Sequence, residues 1–571
     1  MKPRCIHIGL ASKAATMAAW IVLSLSVAVL SSQPATISGL VRDADGPVAG
    51  AIVRVQATDN ATSTDSDGNF ALAPSNPDEP VILTAWAKGY YIAATETPHL
   101  PGASDVEIVL TAHSDRDDPN YTWLSAFADA GDAGSGEDNA CENCHADPND
   151  PQAPLPFGEW LGDAHALSAQ NTRFLTMYKG TDLSGNQSPP TRHVRTRDYG
   201  RIPIRPDPNE PYFGPGYKLD FPDTAGNCAA CHTPAAAIDA AYSTDPTTVT
   251  GVGAEGVGCD FCHKVWDVQL ASESGMPHQN MPGVLSFEFR RPSEGHQFFA
   301  GPFDDVAPGE DTFTPVQRQS RYCAPCHVGV FWDTVVYNSF GEWADSSYSD
   351  PRTGKTCQDC HMPAGRTDHF ARPDKGGLIR DPQTIFSHRM PGAADEELLR
   401  NAVSMNVRTE RQADQLEVTV SITNDQTGHH VPTDSPLRHL ILLVRAADGD
   451  GRLLIQSGGS NIPQWGGVGD PNGGYYAGLP GKAFAKVLEE LWTEVSPSGA
   501  YWNPTRVLSD NRLAAFSTDV SSYTFDAPTE GEITIDVTLV FRRAFIELAD
   551  QKNWDTTDII MEHERVLIPA R

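Results

Sequence analysis

The chain has 571 residues, too many for one core, and its composition (40% hydrophobic, 20% charged) is that of a folded, loop-rich protein rather than a disordered one. Its formal net charge of −32 repels phosphate backbones and so argues against nucleic-acid partners, while it favours solubility and attracts basic surfaces. The amino terminus reads as an export signal covering 1–32. Lys2, Arg4 and Lys13 precede an uncharged apolar run over 14–30, with small residues Ser31, Ser32 and Ala35 at the expected cleavage region. A cleaved signal is preferred to a retained anchor, because the run falls short of the roughly 20 residues that span a bilayer.

Residues 37–113 alternate as strands do. Asp45-Gly46-Pro47 and Asp67-Gly68 mark turns on either side of Ala51-Ile52-Val53-Arg54-Val55. The run ISGLVRDADGPVAGAIVRV, followed by TDSDGNFAL and Gly89-Tyr90, resembles the carboxypeptidase regulatory-like (transthyretin-like) β-sandwich. That resemblance implies a small seven-stranded module without catalysis, serving as a spacer or docking surface. Residues 114–139 are acidic and small, and 131–138 read as a flexible linker.

From 140 to 395 the chain is rich in Pro and Gly, with few sustained periodic segments. Its signal lies in the cysteines. Apart from Cys5, all ten fall in C-x-x-C-H motifs: CENCH (Cys141, Cys144, His145), CAACH (Cys228, Cys231, His232), CDFCH (Cys259, Cys262, His263), CAPCH (Cys323, Cys326, His327) and CQDCH (Cys357, Cys360, His361). Two thiols three apart can add to the two vinyl groups of one haem, and the next residue places an imidazole under the iron. Chance would produce on the order of 0.007 copies of such a pentapeptide in this chain. A disulfide framework has no use for a His after each second Cys, and zinc ribbons would leave the fifth pair and five histidines unused. Five covalent haems c are therefore expected, with the macrocycles supplying the apolar core. The short intervals from Cys228 to Cys259 and from Cys323 to Cys357 predict close pairing of sites two with three and four with five. Helices are expected over 157–179 and 316–326.

Beyond 395 a helix over 395–405 leads into strands at 416–424, 438–446, 532–540 and 566–569, which defines 396–571 as a second β-sandwich-like domain. The fold class is thus multidomain: a small all-β sandwich, a mainly α and irregular multihaem domain, and a β-rich carboxy-terminal domain.

GEWLGDAHALSAQNTRF, GVGCDFCHKV, SRYCAPCH, GEWADSSY, KTCQDCHMP and FSHRMPGA together resemble multihaem c-type cytochromes related to cytochrome c-554. GHHVPT, AGLPGKAFAK and YWNPTRVLSDNRL are similar to the β-domain accompanying many of them. The resemblance implies electron transfer in the cell envelope through closely spaced, mostly bis-histidine haems. His165 matches the family's W-x-x-S-x-H-A element, with Gly162-Asp163 replacing its small-polar pair, and is the first choice of distal ligand. His388, His296, His278 and His369 follow in that order, with His193 behind them. Met276, Met281 and Met390 are thioether alternatives. His429 and His430 are assigned to a turn, bonding its backbone, and His99 and His113 to the surface of the first module.

Two functions compete. An electron carrier would exchange electrons with other cytochromes or a membrane quinol-linked complex, in the periplasm or at the cell surface, with membrane attachment and self-assembly into filaments left open. A reductase of a small nitrogen or sulfur oxyanion would need one open iron. The ammonia-forming nitrite reductases carry a Lys-terminated motif that is absent here, so the carrier is preferred.

Overall fold

The computed structural model describes residues 35–128, 140–307, 309–555 and 557–570. The expected signal segment and the Gly-rich stretch 131–138 lie outside them. No helix among the described residues is long and apolar enough to cross a membrane.

Seven short strands from Ile37–Arg42 to Val106–Val109 form the first module, as a three-stranded and a four-stranded sheet. Alternation drives them face to face: Ile37, Val41, Val53, Leu83 and Ile108 point inward and are almost fully buried. The first strand pairs in parallel with the last, Gly39 opposite Val106. A Cβ on Gly39 would sit 1.9 Å from the Val106 carbonyl oxygen, so this crossing admits only glycine.

The module is bolted to the middle of the chain. Arg54 grips Asp304 with two hydrogen bonds of 2.7 and 2.9 Å, Trp86 Nε1 donates to Thr312, and the Ile92 amide donates to the Asp311 carbonyl. His113, expected at the surface, packs its ring between Trp266 and Phe298 at 5.1 and 5.2 Å. The described part of 114–139 is also tied down, with Asp117 paired to the buried Arg291 guanidinium and Tyr121 donating to Asp260.

The middle region is made of short helices, single turns and hairpins. The helix expected over 157–179 is broken into Pro156–Leu161, Ser168–Gln170 and Thr172–Lys179. Two polar side chains cause the breaks. Asp163 takes the backbone amide of His165, and Asn171 caps the last piece by accepting from the Phe174 amide. Over 316–326 there are only two 3₁₀ turns, Pro315–Arg318 and Ser320–Tyr322.

The carboxy-terminal region is a two-sheet sandwich of four and five strands. Expected strands are found at Gln415–Thr423, His439–Asp448, Ile533–Arg542 and Ile559–Ile568, joined by Gly481–Glu490 and Thr518–Asp526. The helix expected over 395–405 is shorter, Glu396–Arg400, because Ser404 already begins a strand. Leu416, Val418, Val420, Leu440, Leu442 and Phe484 meet in its core with no exposed surface. The sandwich also reaches into the middle region: Lys552 Nζ donates to the carbonyls of Thr176, Thr181 and Pro215, and Trp502 Nε1 donates to Asp220 at 2.7 Å.

Candidate haem sites

Each motif folds as one helical turn. The His145, His232 and His327 amides donate back to the carbonyls of Cys141, Cys228 and Cys323, at 2.9, 3.1 and 3.1 Å. Helical spacing places residues three and four apart on one face, so one turn aims both thiols and the imidazole the same way. All ten cysteines and all five motif histidines line one branched cavity of about 1440 Å³. All ten are free thiols. Among the described residues no group of three or more His, Cys, Asp and Glu is gathered as a bound metal ion would need.

The imidazoles are oriented from behind. Nδ1 of His145, His263 and His361 faces the carbonyls of Phe370, Ala300 and Pro391 at 2.7, 2.8 and 2.7 Å, and that of His232 faces the Ser168 carbonyl at 3.3 Å. A carbonyl only accepts, so Nδ1 carries the proton and Nε2 keeps its lone pair, the form that ligates metal. Burial pushes His145, His263 and His361 below the ordinary imidazole value and His232 down to about 4, which keeps all four neutral. Phe174 lies flat on His232, ring centres 3.7 Å apart, and fixes its plane. His327 differs. Its Nδ1 faces the Asp434 carboxylate at 3.4 Å, and although burial pulls its pKa down, that carboxylate outweighs burial and raises it.

Two second histidines stand opposite motif histidines. His165 and His327 have ring centres 6.2 Å apart, and so do His361 and His429. A metal bonded on each side at about 2.0 Å would separate two imidazole centres by roughly 6.3 Å. The outer Nδ1 of His165 is held by Asp163 at 2.6 Å, and that of His429 by the His430 carbonyl at 2.9 Å. His429 thus keeps the turn contact expected from the sequence and also faces the cavity. Nothing local in GHHVPT distinguishes the two roles, since its counterpart His361 lies far back in the chain. Of the other distal candidates, His388 and His278 line the cavity, as does Met390. His388 is partly buried, and that burial pushes it down to about 3, with His263 and His145 lowering it further. His296 and His369 are not among the lining residues. They are turned to carboxylates instead, His296 to Glu310 and His369 to Asp368, and His193 lies on an exposed hairpin. Met276 and Met281 do not line the cavity either.

The thiols report which turns adjoin. Cys141 hydrogen-bonds with Cys259, Cys231 with Cys326, and Cys323 with Cys357, while Tyr322 donates to the Cys262 carbonyl at 3.0 Å. Site one therefore abuts three, and site four touches two, five and three. The expected pairing of four with five is present. Two with three is present as well, since Ala229 and Ala230 share an apolar cluster with Phe261 and Cys262, and the thiols add contacts of two with four and of one with three. The cavity's polarity suits a carboxylate-bearing macrocycle: in a chain of net charge −32, five cations (Arg173, Arg318, Lys355, Arg438, Arg543) and only two carboxylates (Asp311, Asp434) line it. Haem propionates are anions, and the apolar remainder of the lining matches the porphyrin. The residues present fit five covalently attached haems.

Against known proteins, the class emerges in two pieces. Residues 36–111 match the family model of the carboxypeptidase regulatory-like domain. In fold the chain is similar to a penta-haem cytochrome c552 from Thermochromatium tepidum, with a TM-score of 0.50 at 18% identity, covering 75% of this chain and 97% of that one. A mutant type II cohesin–X-dockerin complex from Acetivibrio cellulolyticus matches 14% of this chain and 58% of its own, at 16% identity and a TM-score of 0.13. No curated protein matches the sequence.

Proposed function

We propose that this protein is a pentahaem c-type cytochrome that carries electrons in the cell envelope. One observation supports the reading above all: five C-x-x-C-H turns, scattered from Cys141 to His361, converge on one cavity with their thiols free and their imidazoles backed by acceptors. Haem supplies reversible one-electron chemistry when attached. The chain's own part is to fix each ring, to keep His145, His232, His263 and His361 neutral, and to hold neighbouring sites in contact. The similarity to cytochromes related to c-554, export and placement in the periplasm or at the cell surface all belong to this reading.

Cys141, Cys144, Cys228, Cys231, Cys259, Cys262, Cys323, Cys326, Cys357 and Cys360 are the attachment points, and His145, His232, His263, His327 and His361 the proximal ligands. His165 and His429 would supply second ligands to two of the irons, and His388 and His278 are the remaining candidates within the cavity. Redox proteins are the partners. The competing reading, an oxyanion reductase, requires an iron with an open face.

Mass spectrometry and spectroscopy of the matured protein test the proposal. It predicts a mass increment of five haems and a Soret band, with low-spin iron at every site and no spectral response of the reduced protein to carbon monoxide. A colourless chain weighing no more than its amino acids would end it. A carbon monoxide or nitrite response would replace the carrier with the reductase.

A further inference from the structure

Site four differs from the others in what stands behind its imidazoles. Four of the five motif histidines lean on neutral backbone carbonyls, and so does His429. At site four both rings lean on carboxylates. Asp163 lies 2.6 Å from Nδ1 of His165, its side chain only 3% exposed, and Asp434 lies 3.4 Å from Nδ1 of His327. The carboxylate-backed rings of His296 and His369 lie away from the cavity lining. A carboxylate at Nδ1 draws the ring proton toward itself, makes Nε2 a stronger donor and adds negative charge beside the metal. Both effects favour ferric over ferrous iron. Arg438, 3.7 Å from Asp434, offsets part of one charge, whereas Asp163 is buried beside His165.

We infer that the iron between His165 and His327 has the lowest reduction potential of the five. This rests on the pentahaem reading and deepens it. Site four touches sites two, three and five, so the most reducing position lies at the branch of the path. Electrons entering on one arm then meet an uphill step before leaving by another, and the two aspartates set its height.

A spectroelectrochemical titration of the full-length, haem-loaded protein tests this, comparing wild type with Asp163→Asn, Asp434→Asn and the double variant. The expected result is a positive shift of the lowest midpoint in each single variant, larger in the double and larger than the shift of any other step; Asp434 also faces His232 and His429, so Asp434→Asn moves their steps by less. Asp163→Glu and Asp434→Glu should restore the wild-type step. His165→Ala assigns it, since that change should turn the same haem, and no other, high-spin in electron paramagnetic resonance. If Asp163→Asn fails to mature, Asp434→Asn alone carries the same readout, because its carboxylate is partly open to solvent. Five haems with an unmoved lowest step in the Asn variants would overturn the inference and leave the cytochrome reading standing. A protein without haem would overturn both.

Discussion

The carboxy-terminal sandwich and the middle region solve the problem of a core in opposite ways. In the sandwich, alternating strands turn side chains such as Val418, Leu442 and Phe484 inward until they have no exposed surface. The middle region gathers only small clusters around a cavity, with alanines such as Ala229, Ala230 and Ala237 among its buried residues. Its walls face a space of about 1440 Å³ that amino acids do not fill. On the pentahaem reading, the middle region would draw much of its stability from the attached groups, whereas the sandwich fills its core with its own side chains.

The strongest way to break the comparison is to deny the middle region its cofactor. Replacing the ten motif cysteines by serine should abolish protection from proteolysis between 140 and 395, while the strands from Ser404 to Ile568 stay protected; equal loss in both regions would refute the contrast. Next in size is a buried ion pair within the sandwich. Arg542 is 1% exposed and doubly bonded to Asp558. Asp558→Ala leaves that buried charge without its carboxylate, with only the Gly474 and Gly466 carbonyls still accepting from it, and chemical denaturation should register a loss of about 3 kcal/mol from the sandwich transition.

A smaller, pH-dependent effect belongs to the cavity wall. Burial raises Asp311 from 3.8 to about 6. The folded state then binds more protons than the unfolded one between those values, so stability falls as pH rises from about 4 to 6 and the ionised group remains a cost above that. Asp311→Asn should leave thermal stability at pH 4 unchanged and raise it at pH 7.5 by about 1–3 kcal/mol; no gain at pH 7.5 would show that Asp311 is not destabilising. Smallest is the bolt between the first module and the cavity wall. Arg54 and Asp304 are partly buried, so Arg54→Ala should cost about 1 kcal/mol and speed amide exchange over 299–313 before anything else changes.

The same contrast explains what the sequence made legible. Strands 416–424 and 438–446 were readable because a sheet with one face in a core must alternate or run apolar. The helix over 157–179 was not, because Asp163 and Asn171 divert backbone amides to side chains, a local competition that periodicity ignores. At the site, the five motifs were legible since attachment chemistry fixes their spacing. His429 was obscured because its partner is 68 residues away, and Asp434 carried no signal of its own. Which histidines face each other is decided by three-dimensional packing, which a count of histidines along the chain does not reveal.

The anchoring of Lys552 bears on the order in which the molecule can be finished. Its ammonium closes over carbonyls at 176, 181 and 215, and Asp434 is likewise delivered from the sandwich to a motif translated more than a hundred residues earlier. Both latches leave the ribosome after every thiol has been made. On the proposed export route, all ten motif thiols therefore emerge before either clasp can form.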